Sequence, residues 1–348
     1  MKIALVGYAQ SGKKTLFTLL TGREVADHMR EGKAVDGAAR VVDPRVDEIA
    51  RLTKPKKKTY AETQISLCPD VEAGSASRKW LESARRCDLV CVMVRAFTSP
   101  DVYHPLASVN AERDRSNLEA EVLLADLELV ENRLIRLAKE KRAGQTDAQK
   151  LEQKALEKCK AALEAEKPVR QGGLEPHEQD ALRSLELITT KPLLWAYNVD
   201  ENALGAAAGA TAAGDGRLIV SCKIESEIAQ MTDPAERAAF LGDLGLSLTG
   251  AERLNAAAYE TLGLMSFYTM GPDEARAWTV RKGAAAPTAA GKIHSDIERG
   301  FIRAEVISFD DLVKYGSEAE VKSHGRAQLR GKEYIIQDGD ICNFLFNV

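Results

Sequence analysis

Residues 2–15 read Lys2-Ile3-Ala4-Leu5-Val6-Gly7-Tyr8-Ala9-Gln10-Ser11-Gly12-Lys13-Lys14-Thr15. An apolar run ends in a glycine, crosses a short loop and meets a second glycine followed by two lysines. Leu16-Phe17-Thr18-Leu19-Leu20 then continues as a helix. This is the strand, glycine loop and helix of a P-loop. Gly7 and Gly12 let the backbone turn so that successive N–H groups, through Gln10 and Ser11, point inward at a phosphate chain. Lys13 is placed to reach β- and γ-phosphates as a point charge. The slot after that lysine ordinarily holds the Ser or Thr whose hydroxyl binds Mg²⁺. Here it holds Lys14, with Thr15 next.

The chain has 348 residues, room for two or three domains at roughly 100–200 residues each. Apolar content of 45% and charged content of 29% describe an ordinary globular protein. No apolar run approaches the roughly 20 residues of a membrane helix, so no membrane partner is expected. The N-terminus enters a strand directly, which argues against a signal peptide. Six cysteines are scattered without CxxC spacing. That disfavours a disulfide framework or metal cluster and favours a reducing cytoplasm. A net charge of −4 gives no global attraction to nucleic acid; DNA is not expected as a partner, and any RNA contact needs a local patch.

The first third alternates strands (Lys2–Val6, Ala39–Val42, Thr63–Cys68, Asp88–Val94) with helices, as in a covered, mostly parallel sheet. From Asn117 to Lys167 breakers almost vanish. Leu123, Leu127, Val130, Leu134 and Leu137 recur at steps of four and three, and Leu156, Cys159 and Leu163 resume the stripe after Ala143–Thr146. This reads as an antiparallel helical hairpin; the alternative is two amphipathic helices packed on the sheet. Strands resume at Pro192–Asn198 and Leu218–Ser221, so the hairpin is an insertion. The Ala/Gly tract 203–216 between them reads as a surface loop. From Leu264, strands Ala275–Val280, Phe301–Ile307 and Tyr334–Ile336 around a helix at Asp310–Tyr315 suggest a compact α+β module.

Two segments match a nucleobase site. Asn198-Val199-Asp200-Glu201 ends a strand where GTPases of this fold carry Asn-Lys-x-Asp, and Ser221-Cys222-Lys223 sits where they carry Ser-Ala-Lys. Glu201 is one methylene longer than Asp and Val199 replaces Lys. The bidentate grip on guanine should weaken.

At this point the chain resembles the Obg-like ATPase (YchF) family of P-loop proteins, over almost its whole length. The resemblance lies in the P-loop, the inserted arm and Asn-x-x-Glu, in Val42-Asp43-Pro44-Arg45-Val46 with Lys54-Pro55-Lys56-Lys57, and in C-terminal text. That text includes Arg276-Ala277-Trp278-Thr279, Ala290-Gly291-Lys292-Ile293-His294, Glu298–Val306 and Gln337-Asp338-Gly339-Asp340. It implies a P-loop G-domain-like α/β sheet (residues 1–110 and 190–263), an inserted helical coiled-coil hairpin (111–189) and a C-terminal β-grasp TGS domain (264–348). It further implies binding and hydrolysis of ATP in preference to GTP, and association with ribosomes. The arm and the TGS module are the expected contacts with rRNA. Arg276, Arg281, Lys282, Lys292, Arg299 and Arg303 make the module locally basic.

The chain also departs from the family. The family P-loop reads G-x-P-N-V-G-K-S-T; Gln10 replaces Asn, Ser11 replaces Val and Lys14 replaces the Mg²⁺-binding Ser. Between Gly22 and Val42, where switch I belongs, there is no Thr. Cys68-Pro69-Asp70-Val71-Glu72-Ala73-Gly74 offers Asp-x-x-x-Gly instead of Asp-x-x-Gly, so Asp70 is either the metal-linked acid shifted by one residue or a plain loop acid. The expected nucleotide site is Gly7, Gln10, Ser11, Gly12, Lys13, Lys14, Thr15, Asn198, Val199, Glu201, Ser221, Cys222 and Lys223, with Mg²⁺ in doubt. The two readings are a nucleotide-binding ribosome-associated protein with impaired hydrolysis and a fully active Mg²⁺-dependent ATPase regulating translation or stress response. His104 reads as structural rather than pocket-lining. His28, His177 and His324 have no partner pattern. The run Lys54, Lys56, Lys57, Lys58 reads as a solvated face that could touch rRNA.

Overall fold

The computed structural model describes residues 1–25, 32–72, 78–140, 144–207 and 217–347. The first third runs β1 (Lys2–Gly7), α1 (Lys13–Thr21), β2 (Val35–Val41), α2 (Pro44–Thr53), β3 (Lys57–Thr59), β4 (Ala61–Leu67), α3 (Lys79–Arg85) and β5 (Leu89–Arg95). Two long helices follow, α4 (Ala111–Glu140) and α5 (Asp147–Glu164), then the short α6 (Pro176–Leu182). The chain returns through β6 (Leu193–Asn198), α7 (Glu201–Ala207), β7 (Arg217–Val220), α8 (Cys222–Gln230), α9 (Pro234–Asp243) and α10 (Gly250–Thr261). It ends with β8 (Leu264–Met270), β9 (Glu274–Arg281), α11 (Ala286–Ile293), α12 (Ser295–Arg299), β10 (Phe301–Ser308), α13 (Phe309–Tyr315), α14 (Glu318–Ser323), β11 (Gln328–Arg330) and β12 (Asp340–Phe346). Two compact units result: residues 1–38 with 64–257, and residues 39–63 with 258–348.

The first unit is built on a six-stranded sheet in the order β2-β4-β1-β5-β6-β7. β1 pairs in parallel with β4 and with β5, and β5, β6 and β7 continue in parallel. Every residue of β5 is buried, as a strand covered on both faces requires. The chain order reverses at β1, which opens a crevice at the carboxyl ends of the strands; the loop after β1 lies there.

The helical insertion is anchored by its own first turns. Leu118, Val122 and Ala125 of α4 pack into the core beside the sheet with Trp80, Trp195 and Tyr197. Farther along, Val130 and Leu137 pack with Leu156, Cys159 and Leu163 of α5, flanked by Leu123, Leu127 and Leu134. The helices run antiparallel: Arg133 bonds Glu152 at 2.6 Å, and Gln149 bonds Glu140 at 3.1 Å. Thr146 starts α5 with a capping box shared with Gln149. Thus α4 does both things the sequence left open, packing on the sheet with its first half and pairing with α5 in its second. Asp126, fully buried, fastens the junction; its carboxylate accepts from Thr189 N at 2.7 Å and Thr189 Oγ1 at 2.8 Å and lies 3.1 Å from Arg85.

In the second unit the sheet order is β11-β10-β12-β8-β9-β3. β8 is antiparallel to β9 and parallel to β12, and β10 is antiparallel to both β12 and β11. Counting the strands from residue 264 as one to five gives four-three-five-one-two, a β-grasp. α11 covers one face through Ala286, Ala289 and Ala290, against Phe267, Phe301 and Phe344. α2 joins the opposite face, where Val46 and Ile49 pack with Tyr268, Ala275, Ala277, Ile307, Leu312 and Ile341. Asp43 caps α2, accepting from Arg45 N at 3.0 Å, and also accepts from Tyr268 OH at 2.5 Å. Arg45 reaches Asp338 at 2.7 Å and lies over the Tyr268 ring. β3 adds a sixth strand, parallel to β9.

Several expectations change. Residues 39–63, assigned on sequence to the nucleotide-binding domain, cluster with 258–348 because their apolar side chains find partners on the β-grasp sheet. The basic run, by contrast, keeps its solvated face: Lys54, Lys56, Lys57 and Lys58 are exposed, and three of them meet acids at the surface, Lys56 with Asp273 at 2.8 Å, Lys57 with Glu274 at 3.6 Å and Lys58 with Asp47. Tyr334–Ile336 is not a strand; Ile335 makes one isolated bridge to Ala285 before the turn at Asp338-Gly339. The Ala/Gly tract opens as helix, through Ala207, because Leu204 finds a fully buried place beside Ile224 and Ile228; residues 208–216 lie outside the described residues. So do His28, part of the expected switch I (26–31) and the end of the expected switch II (73–77).

If α2 and β3 complete the β-grasp unit, residues 258–348 expressed alone should expose the Tyr268–Ile341 face. The fragment is expected to bind a hydrophobic dye and unfold early. Fusing 39–63 through a flexible linker should restore a cooperative thermal transition. Equal stability of the two fragments would refute this role for α2 and β3.

Candidate nucleotide-binding site

The loop after β1 is shaped by two glycines. Gly7 has φ 153°, and a Cβ there would lie 2.4 Å from the Met93 carbonyl oxygen of β5. Gly12 has φ 99°, and a Cβ there would lie 2.4 Å from Asn198 Nδ2. Any other residue would collide at both points. Gln10, between them, also takes a positive φ of 59°. Gly12 then starts α1, and Gly22 ends it in the left-handed conformation.

Lys13 lies on the first turn of α1 and is only 3% exposed. Its Nζ donates to Gly7 O at 2.8 Å, to Tyr8 O at 3.0 Å and to Asp70 Oδ1 at 2.5 Å. Burial, the larger effect, pushes the ammonium's pKa below its ordinary value, and the Asp70 carboxylate opposes that shift. Ser11 is buried, and among the described residues its hydroxyl has no hydrogen-bond partner. Lys14 and Thr15 lie on the exposed side of the same helical turn.

Asn198, at the end of β6, ties this loop to a second one. Its Nδ2 donates to Ser11 O at 3.1 Å, and its Oδ1 accepts from Cys222 N at 3.0 Å. Cys222 begins α8 directly after Ser221, and its thiol points at Gly12 O, 3.7 Å away. Burial pushes that thiol up to about 12, so it is an uncharged packing group at neutral pH. Glu201 and Lys223 form an ion pair with each other at the rim. Its hydrogen bond raises the pKa of Lys223.

These loops surround a cavity of about 670 Å³ whose walls include Gln10, Gly12, Thr15, Phe97, Asn198 and Cys222. Val199, Glu201, Ser221 and Lys223 also line it, so the expected base-side residues meet Gln10, Gly12 and Thr15 of the loop at one hollow, while Gly7, Ser11, Lys13 and Lys14 do not line it. A larger hollow, about 810 Å³, lies near the base of the helical arm. Its Arg170 and Lys191 donate to backbone carbonyls, at 3.2 Å and 2.7 Å. These cations fasten the chain, and the P-loop does not line that hollow.

Sequence reasoning missed one wall of the smaller cavity. Arg95, 3% exposed at the end of β5, donates to the carbonyls of Phe97, Val102 and Tyr103 at 3.0–3.3 Å and lies over the Phe97 ring. Asp200 accepts from Thr98 N and Thr98 Oγ1, each at 3.1 Å. Together they fix the 97–103 loop beside the cavity. The available signal was a charged residue closing the otherwise apolar run Leu89–Val94. His104 is not on this wall; it is buried, its Nδ1 accepts from Leu106 N at 3.1 Å, and its Nε2 lies 3.0 Å from Asp114.

The family model YchF-GTPase_C, described as a protein of unknown function, matches residues 264–347. A "Ribosome-binding ATPase YchF" of Bacillus subtilis is 36% identical over 99% of this chain and 98% of its own length. The chain belongs to the YchF/Obg-like ATPase family. An "Obg-like ATPase 1" of Oryza sativa is 33% identical over 100% of this chain and 92% of its own length. The solved YchF GTPase of Schizosaccharomyces pombe superposes with a TM-score of 0.83 at 27% identity, covering 99% of this chain and 97% of that one. The YchF fold therefore spans the sheet, the arm and the C-terminal unit.

The described residues hold no group of three or more His, Cys, Asp and Glu side chains able to bind a metal. Of the oxygen donors beside the P-loop, the Asp70 carboxylate is engaged by Lys13, and Lys14 stands where the metal-binding hydroxyl would be. Among the described residues, Lys14 thus replaces the hydroxyl that an ordinary P-loop Mg²⁺ site uses, and the Thr15 hydroxyl stands one residue along.

Removing the Asn198 amide should release both loops at once. Asn198→Ala is expected to weaken ATP binding roughly 10- to 100-fold, the scale of losing buried hydrogen bonds and stranding their partners. A fold that stays intact by circular dichroism with unchanged affinity by titration would refute the bridging role.

Proposed function

We propose that this chain is a purine-nucleotide-binding protein of the YchF type that binds ATP at least as well as GTP, associates with ribosomes in the cytoplasm and hydrolyses ATP slowly. The observation that carries the reading is the Asn198 bridge between the phosphate loop and the base loop across one cavity. Printed names of full-length relatives, ribosome-binding ATPases among them, support the ribosome and ATP parts. Glu201 is one methylene longer than the Asp that grips guanine and is paired with Lys223, which supports the preference for ATP over GTP.

Slow turnover is inferred from Lys14. Phosphoryl transfer depends on holding the reacting oxygens in line and neutralising developing charge. A lysine supplies charge, but as a mobile point it fixes no octahedral geometry. On this reading Lys13 and Lys14 hold the phosphate chain, and the backbone N–H groups of the glycine loop orient it. Retention of Lys13 and the base pocket supports binding. The second reading, a fully active Mg²⁺-dependent ATPase, is favoured by Thr15, whose hydroxyl stands one residue along.

Titrations of ATP, ADP and GTP with EDTA or with Mg²⁺ test this. The wild type should keep its ATP affinity in EDTA, and Lys14→Ser should gain Mg²⁺ dependence and turnover. Abolition of wild-type ATP binding by EDTA would favour the conventional ATPase, and clear GTP preference would refute the base-site reading. For the partner, co-sedimentation with ribosomes should fall steeply between 50 and 200 mM salt, by about tenfold or more if several phosphates are contacted. Retention that ignores salt would sink the RNA-contact reading.

A further inference from the structure

We propose that Asp70 is an inhibitory latch on the nucleotide site: in the free protein its carboxylate occupies the position on Lys13 that a phosphate takes, and nucleotide binds by displacing it. This rests on the nucleotide reading of the P-loop given above.

A lysine ammonium carries three N–H donors. All three are in use, on Gly7 O, Tyr8 O and Asp70 Oδ1. The two carbonyls belong to the P-loop backbone and cannot leave Lys13 without unwinding the loop. Asp70 can: it lies outside β4 and is 44% exposed. It is the only one of the three partners that a ligand can displace by a side-chain movement.

The carboxylate is nevertheless delivered by a fixed segment. Val71 N donates to Gly7 O at 3.0 Å, and Tyr8 and Val71 form a parallel bridge. The backbone of residues 70–71 therefore continues the β1–β4 pairing past the end of β4 and rests on the start of the P-loop. Asp70 reaches Lys13 from there.

Electrostatics make the exchange one-for-one. A buried ammonium needs an anion beside it. A carboxylate or a phosphate satisfies Lys13, and two anions against one buried point charge repel each other. The Ser11 hydroxyl, buried in the same loop, has no partner among the described residues and offers Lys13 no competing anion.

The test compares wild type, Asp70→Asn and Asp70→Ala by equilibrium titration with ADP and ATP and by stopped-flow with a fluorescent ADP, in EDTA, with the titrations repeated in Mg²⁺. Omitting the metal silences any role of Asp70 in metal binding. Circular dichroism and thermal melts check the fold, and the near-isosteric Asn guards against collapse of the loop. Affinity should rise roughly 3- to 30-fold, the range for losing a competing charge-assisted hydrogen bond that is partly solvent-exposed. The gain should sit in the association rate, with dissociation unchanged, because the latch acts on the free protein alone. Binding by the variants where wild type binds undetectably would also support the latch. Equal or weaker binding by folded variants in EDTA overturns it. A deficit confined to Mg²⁺, with EDTA affinity unchanged, overturns it too and assigns Asp70 to the metal. If neither wild type nor variants bind any purine nucleotide in EDTA or with Mg²⁺, the nucleotide reading falls and the latch falls with it; binding by all three with Mg²⁺ alone keeps the nucleotide reading and overturns the latch.

Discussion

The amide of Asn198 fastens two loops from distant parts of the chain, and the geometry of the first unit converges on it. Its nitrogen takes the Ser11 carbonyl and its oxygen takes the Cys222 amide. Both bonds are buried, so losing either leaves a desolvated polar group unsatisfied. The strand order β1-β5-β6 puts the ends of β1 and β6 on the same edge of a parallel sheet, close enough for one side chain to span them. Gly12 lacks a Cβ where Asn198 needs the space. A glycine, a sheet order and one amide thus enforce a single distance between the two loops. That distance sets the span of the cavity between them.

The second unit obeys a different constraint. A five-stranded β-grasp sheet carries a helix on one face and leaves the other open. In this chain the open face presents Tyr268, Ala275, Ala277, Ile307 and Ile341, and α2 arrives from more than 200 residues upstream to cover part of it. The Asp43–Tyr268 and Arg45–Asp338 contacts set the orientation of the helix. The edge strand β3 is short and lysine-rich, which discourages pairing with another chain, and its lysines pair instead with acids of the same unit. The C-terminal unit is therefore completed by chain that passes through it between β2 and β4.

What could be read in advance follows from how local each constraint is. The P-loop was legible because glycine, lysine and an apolar strand encode it within fifteen residues, and the arm because its leucines repeat at helical spacing. The family was legible in long C-terminal text, and full-length relatives agree. Residues 39–63 misled because Val46 and Ile49 are ordinary amphipathic-helix residues whose partners lie far away in sequence. Leu204 turned the start of a small-residue tract into helix for the same reason: its burial depends on Ile224 and Ile228. Arg95 left one faint mark, a charge closing an apolar run, but its partners and those of Asp200 lie in the separate 97–103 segment, and which segment a side chain fastens leaves no residue-type signature.

The charges at the P-loop separate two demands that a metal ion ordinarily meets together. One is neutralisation of a polyanion, which any cation within a few ångströms can supply. The other is a rigid arrangement of oxygen atoms, which comes from a small ion with fixed coordination and not from an ammonium on a four-carbon stem. Lys13 and Lys14 put two cations on one helical turn, and the second also lowers the pKa of the first. Two adjacent ammoniums repel, so the free loop gains from an anion, and Asp70 supplies it from a neighbouring segment. A phosphate chain satisfies the same need more completely, with several charges in place of one. Lys13 and Lys14 therefore meet the first demand, the attraction that holds a polyanion, while the second, a fixed set of oxygen atoms, is one that an ammonium cannot meet.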